Sequence, residues 1–340
     1  MTDFHLQITE WYRLNKRDLP WRHTNDPYKI WLSEVILQQT RVDQGLSYFL
    51  KFTQNYPSLK DLANASEEEV LRNWQGLGYY SRARNMHATA KQILNDFSGE
   101  FPKNYEEIRA LKGIGDYTAA AISSFAFNLP HAVVDGNVYR VLSRYFDLGT
   151  PIDSTVGKKS FSDLAQQLLN EKDPAQHNQA IMELGALVCT PKNPSCDSCP
   201  LRGHCAASAN NTMELRPVKT KKTKIRERFF HFFIFDSGQE VVLEKRTKKD
   251  IWQHLFQFPM HESSGDISHE EITQLAGLPS VKKSEPITHL LSHQRITARF
   301  HHFDDIPQNK LNQGLIVSKN QLDDYALPRL IDRYLQENGW

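Results

Sequence analysis

Four cysteines fall within 17 residues, spaced Cys189-x6-Cys196-x2-Cys199-x5-Cys205, and the chain has no others. Thiolates this close can surround one tetrahedral Zn²⁺ or one [4Fe–4S] cube. Zinc sites are more often built from two separated C-x2-4-C knuckles. One ligand before a single C-x2-C pair and one after it favours iron–sulfur. A secreted disulfide scaffold would spread its cysteines through a small domain. The apolar run 181–188 reads as a buried helix that delivers the first ligand, and Lys192, Arg202 and His204 sit on the same loop, placed to meet phosphate.

Two other stretches carry candidate chemistry. Leu111-Lys112-Gly113-Ile114-Gly115 leads into Asp116-Tyr117-Thr118-Ala119-Ala120. Paired glycines entering a helix of small residues leave backbone N–H groups free, which suits a phosphate. Further on, Val133-Val134-Asp135-Gly136-Asn137-Val138 sets an acid before a glycine. Asp135 reads either as a helix cap or as a carboxylate stabilising positive charge on a sugar. In Trp31-Leu32-Ser33-Glu34-Val35-Ile36-Leu37-Gln38-Gln39-Thr40, Glu34 has apolar neighbours. Pattern alone leaves it between an exposed helical glutamate and a buried acid kept protonated.

The elements that must position these residues change character along the chain. Up to about residue 210 the apolar spacing is helical, as in 27–52, 66–75, 83–96, 117–127 and 157–169. Turn signals such as Asn25-Asp26-Pro27, Gly76-Leu77-Gly78 and Phe101-Pro102 separate the helices. Residues 216–227 read as a basic, Pro-interrupted linker. Short strand-like runs follow at 228–235, 240–245, 252–259 and 288–303, and a helix closes the chain at 327–337. The expected fold is therefore α+β and multidomain: an all-helical core, then a smaller α+β domain. The length, 340 residues, fits two or three domains. Net charge is only +1, but seven basic residues and one acid lie between Arg216 and Arg228. No apolar run is long enough for a bilayer and the N-terminus lacks an apolar signal region, so no membrane role and a cytoplasmic location are expected.

LxGxG, then VDGNV, then the four-cysteine loop resembles the helix-hairpin-helix DNA glycosylases of the endonuclease III superfamily. The resemblance implies a [4Fe–4S] cluster and two helical lobes with double-stranded DNA between them. One lobe would be 1–22 with 130–215, carrying the cluster. The other, 23–129, would carry six helices and the hairpin. Superfamily members that also cut the strand hold a lysine two residues after the last hairpin glycine; this chain has Tyr117 there. A phenol cannot form a Schiff base, so a monofunctional enzyme using water is expected.

Residues 17–40 and Gly76-Leu77-Gly78-Tyr79-Tyr80-Ser81-Arg82-Ala83-Arg84-Asn85 resemble the adenine-excising MutY branch of the superfamily. That resemblance implies that Glu34 protonates adenine and Asp135 stabilises the sugar cation, with Tyr117 and Asn137 in support. Arg17, Leu19, Trp21, Arg22, Leu37 and Glu183 would line the adenine pocket. Gln39, Thr40, Leu77 and Tyr79 would fill or flank the gap left by the flipped base, and Gly113 and Gly115 would hold phosphate. The substrate implied is adenine opposite 8-oxoguanine, or guanine, in duplex DNA, and the enzyme implied is a bacterial base-excision repair protein, a monomer that associates with the nucleoid when on DNA.

Residues 228–340 would be a Nudix-like domain that reads the oxidised guanine. The hydrolase signature G-x5-E-x7-R-E-x-x-E-E-x-G is missing; the nearest stretch, 265–277, has only Glu270 and Glu271. Leu291-Ser292-His293 matches the branch's Phe-Ser-His motif, so Ser292 and His293 would contact the lesion, while Leu291 departs from it. The bland alternative makes Leu290 and Leu291 strand core. Two other functions compete: a lyase for oxidised pyrimidines, opposed by Tyr117 and Glu34, and a non-catalytic lesion sensor, opposed by the retained acids.

Overall fold

Asp26 and Pro27 show how local chemistry starts the helix that matters most. The Asp26 carboxylate accepts a hydrogen bond from Tyr28 N, and Pro27 occupies the first turn, where its missing N–H costs nothing. A computed structural model describes residues 2–220, 224–311 and 314–340. Its larger helices are α1 (Thr2–Asn15), α2 (Pro27–Leu37), α3 (Val42–Asn55), α4 (Leu59–Asn64), α5 (Glu67–Asn73), α6 (Ser81–Asp96), α7 (Tyr105–Ala110) and α8 (Asp116–Phe127). Then come α9 (Gly136–Tyr145), α10 (Thr155–Leu168) and α11 (Pro174–Leu187).

The run expected as one helix over 27–52 is two, α2 and α3, parted at residues 38–41 where Gln39 adopts φ +56°. Neither glycine nor proline marks that break, so spacing alone could not find it. Phe4, Ile8 and Tyr12 of α1 share a core with Val138, Val141 and Leu142 of α9 and with Ile181 and Leu184 of α11. The small residues Ala119, Ala120 and Ala121 let α8 lie close to α2.

Among the described residues eight strands follow: β1 (Arg226–Phe235), β2 (Glu240–Lys245), β3 (Phe256–Gln257), β4 (Met260–Ser263), β5 (Lys282–Lys283), β6 (Ile287–Leu290), β7 (Gln294–Phe303) and β8 (Leu315–Ser318). One sheet runs β4-β1-β7-β5, with β6 also on β7; the second runs β3-β2-β8. β1 and β7 are parallel, from Arg226 opposite Gln294 to Phe235 opposite Phe303. The expected strand over 252–259 narrows to β3, and 288–303 divides into β6, a turn and β7. Phe233, Phe235 and Phe303 pack beneath Ile272 of a helix at His269–Ala276. Glu270 and Glu271 lie in that helix's exposed first turn, where Ser268 caps it, a placement the helix dipole favours.

By contact density the chain separates into two units, 1–64 with 88–221 and 65–87 with 222–340. Segment 65–87, expected within the helical core, clusters with the C-terminal strands. The break near 221 falls inside the expected linker, of which 221–223 lie outside the described residues. The positive run is also less free than its charge count implies. Arg216 pairs with Asp147 at 3.0 Å, and Arg228 is buried against Asp250 and Glu262.

Candidate active site

Glu34 lies on α2 within an unbroken buried run, Ile30 to Ile36, and is only 6% exposed. Burial is the main reason its carboxyl rises from 4.5 to about 7. Tyr117, on the first turn of α8, donates to Glu34 Oε2 at 2.5 Å, which partly offsets that rise. Of the two readings left open by pattern, the buried acid is the observed one.

Asp135 caps α9: its Oδ1 accepts from Val138 N at 2.7 Å, and its Oδ2 accepts from Asn137 Nδ2 at 2.7 Å. Burial raises this carboxyl too, but these donors stabilise the anion and oppose the rise. Asp135 is therefore both a helix cap and a cleft acid. Asn137 is anchored in turn by Arg140, whose Nη2 donates to Asn137 Oδ1 at 2.8 Å and to Gly185 O at 2.7 Å. Gly185 must be glycine for α9 to come this close, because a Cβ there would stand 2.6 Å from Asn137 Cβ.

Glu183, on α11, is buried between two arginines. Arg17 reaches Glu183 through Nε at 2.9 Å and Nη2 at 2.6 Å, and Arg22 through Nη1 at 3.0 Å and Nη2 at 2.7 Å. Burial alone would raise Glu183, but the hydrogen bonds from Arg17 and Arg22 outweigh it and hold the carboxyl at about 2.

One cleft of about 710 Å³ collects these groups. Glu34, Tyr117, Asp135 and Asn137 line it, as do Arg17, Leu19, Trp21, Arg22, Leu37 and Glu183. Thr40 joins them at the rim, whereas Gln39 does not line it. The cleft also includes Gln179, Met182 and Arg140, which sequence reasoning missed. Helical spacing from Glu183 pointed at Gln179, since residues four apart share a helix face.

The hairpin glycines differ from each other. Gly113 has φ +74°, a conformation that side chains resist, while Gly115 caps α8 at φ −97° with open space where a Cβ would go. Both are exposed. Lys112 is exposed as well, and its carbonyl accepts from Thr89 Oγ1.

In the second unit, Tyr79, Leu291 and His293 line one cavity with Trp252 and Asp250. Tyr79 has φ +48° and is 39% exposed, so it is not a core aromatic; Leu77 beside it is buried. Ser292 and His293 form the exposed β6–β7 turn, closed by Leu291 N donating to Gln294 O at 2.8 Å. Leu290 is 66% exposed, so the strand-core alternative fails for it.

The four cysteines line a single cavity with Arg144, Val188 and Met213. Among the described residues no three His, Cys, Asp or Glu side chains converge tightly enough to hold one metal ion. Arg144 ties the loop down through Thr190 O at 2.7 Å and Pro191 O at 3.2 Å and approaches Cys189 Sγ at 3.4 Å. The residues fit an iron–sulfur cluster: four thiol donors and a neighbouring cation to balance their charge.

A hairpin, a cleft with two buried acids and a cysteine loop define a helix-hairpin-helix base-excision glycosylase. Residues 32–165 match the HhH-GPD superfamily base excision DNA repair proteins, 189–205 the iron-sulfur binding domain of endonuclease III, and 230–337 the NUDIX domain. The chain is 38% identical over 270 residues to the adenine DNA glycosylase of Buchnera aphidicola subsp. Baizongia pistaciae, covering 78% of this chain and 75% of that one. It is 32% identical to that of Buchnera aphidicola subsp. Schizaphis graminum, over 98% of both chains. Among solved structures, a thermostable thymine-DNA glycosylase aligns with 62% of this chain and 96% of its own, at 30% identity and a TM-score of 0.58. The chain belongs to the adenine DNA glycosylase family. It is an enzyme that hydrolyses the N-glycosidic bond of adenine in duplex DNA, and it carries a [4Fe–4S] cluster. No helix among the described residues is long and apolar enough to cross a membrane.

Proposed function

We propose that the substrate is adenine opposite 8-oxoguanine, and that Glu34 and Asp135 divide the chemistry between them. Glu34 keeps its proton to about pH 7 and delivers it to N7 of the flipped adenine, so that the base leaves neutral. The bond between base and sugar breaks with its electrons moving onto the base. Positive charge then develops on the sugar, and the Asp135 carboxylate, held by Val138 N and Asn137, stabilises it. Water adds to the sugar, its proton returns to the Glu34 carboxylate, and an abasic site is left. The adenine sits against Leu19, Trp21 and Leu37, and the Arg17–Glu183–Arg22 cluster fixes the pocket wall.

Thr40 in the cleft, with Gln39, Leu77 and Tyr79 outside it, fill or flank the vacated stack, and Ser292 and His293 contact the oxidised guanine. Gly113 and Gly115 present backbone N–H groups to phosphate. The cluster, held by Cys189, Cys196, Cys199 and Cys205, orders a loop whose Lys192, Arg202 and His204 meet the DNA backbone. The enzyme works as a monomer in the cytoplasm and joins the nucleoid when on DNA. The helical part divides into a cluster lobe, 1–22 with 130–215, and a hairpin lobe, 23–129.

The observation that carries this reading is Glu34: a carboxyl 6% exposed, raised to about 7, in one cleft with Asp135. Borohydride trapping during base release tests its monofunctional form. Base release without a covalent adduct is expected; an efficient adduct would support the lyase instead.

A further inference from the structure

A tyrosine in the left-handed region costs roughly 1–2 kcal/mol, so the surroundings of Tyr79 must hold it there. Gly76 and Gly78 bend the chain on either side of Leu77, at φ +96° and +75°. Arg82 closes the bend from within. Its backbone N donates to Tyr79 O at 2.9 Å, and its Nη2 donates to Gly78 O at 3.1 Å and Leu77 O at 3.3 Å. The same guanidinium lies 5.8 Å from the centre of the Tyr79 ring and 5.0 Å from that of Trp74. Trp74 completes the clamp, its Nε1 donating to Gly78 O at 3.1 Å. Burial lowers the Arg82 guanidinium to about 10, in keeping with a cation turned inward.

We propose that Arg82 is a positioning residue for lesion recognition: it holds Tyr79 in the left-handed conformation from which its ring enters the base stack. The inference rests on the reading of Tyr79 as the stack-filling residue. A planar guanidinium can bond two carbonyls while stacking on two rings. A lysine ammonium is a point charge without a face and cannot do both.

The test is a double-mutant cycle. Arg82→Lys and Arg82→Met are made with Tyr79 intact and with Tyr79→Ala. Single-turnover adenine release opposite 8-oxoguanine and the salt dependence of DNA affinity are measured. The thermal midpoint and iron–sulfur absorption of each variant report the fold. With Tyr79 present, both Arg82 variants should slow release about tenfold, the rate equivalent of the strain no longer held. With Tyr79→Ala, the same changes should cost less than about twofold. The salt slope should stay unchanged, whereas loss of a phosphate contact would lower it by about one.

Equal slowing in both backgrounds, a salt slope lower by about one, or full rescue by lysine would overturn the inference. If Tyr79→Ala alone leaves release unchanged, the stack-filling reading fails first and takes this inference with it. If Tyr79→Ala slows release and Arg82→Lys adds to it independently, only the inference fails.

Discussion

Tyr117 donates its phenolic proton to Oε2 of Glu34 across 2.5 Å, linking the first turn of the hairpin's second helix to a buried acid on α2. The lysine position of strand-cutting relatives is thus occupied here by a group that tunes an acid. Tyr117 is half-buried, and desolvation together with the nearby Glu34 pushes its own ionisation well above the usual range. It therefore remains a hydrogen-bond donor near neutral pH.

Removing that donor should move the acid. The Tyr117 hydrogen bond lowers the Glu34 carboxyl, opposing burial, so Tyr117→Phe should raise it further. A hydrogen bond to a charged group contributes about 1.5–3 kcal/mol, which corresponds to a shift of about 1–2 pH units. The pH at which base release falls to half should rise by that much. A profile unmoved or moved downward would show that Tyr117 does not act through Glu34.

Glu34 should also make folding stability depend on pH. Between about pH 4.5 and pH 7 the unfolded chain ionises this carboxyl while the folded chain keeps its proton. The folded state then binds more protons, so stability falls as pH rises, by roughly 3 kcal/mol across that window. Glu34→Gln removes the loss. In denaturant titrations the variant should gain on the parent steadily from pH 4.5 to 7, and hold its gain above pH 7. A gap independent of pH would contradict the raised pKa of Glu34.

Glu183 predicts the opposite profile. Its carboxyl is depressed to about 2, so its contribution is fully present above about pH 4.5 and disappears only as pH falls through 2. Glu183→Gln leaves Arg17 and Arg22 without their counter-charge. Breaking a buried pair costs about 3–5 kcal/mol, and the partial exposure of Arg17 puts this one near the lower end. Denaturation at pH 5 and pH 8 should show the same deficit. A deficit that grows with pH would mean that the carboxyl is not ionised across this range.

Gly113 and Gly115 should separate folding from binding. Gly113→Ala forces alanine to φ +74°, at a cost of roughly 1–2 kcal/mol in stability. Gly115→Ala meets no atom within 4 Å, so the fold should tolerate it. Its methyl group would stand at the α8 N-terminus, where phosphate is proposed to bind, and DNA affinity should drop with the thermal midpoint preserved. Unchanged affinity would remove Gly115 from the binding surface.

What the residues revealed in advance, and what they hid, divides along physical lines. The cysteine loop was legible because its ligands are close in sequence, whereas the apolar neighbours of Glu34 left it between an exposed glutamate and a buried acid, and only the packing of its helix decides for burial. The charge cluster of Arg17, Arg22 and Glu183 joins groups more than 160 positions apart, and only the resemblance named its members. The α2–α3 break was hidden because Gln39 is left-handed without a glycine. Arg228 looked like part of a free basic run, yet Asp250 and Glu262 neutralise it inside the domain. Met182 and Arg140 reach the cleft through helix packing, which one-dimensional spacing does not record; Gln179 alone had a spacing signal, four residues from Glu183.

Single-turnover adenine release from duplexes with adenine opposite 8-oxoguanine, guanine or cytosine, with Glu34→Gln as the control, tests the central claim most directly. The account predicts fast release opposite 8-oxoguanine, slower release opposite guanine, little opposite cytosine, and loss of all three with Glu34→Gln. Release that survives Glu34→Gln, or that ignores the opposing base, would contradict it.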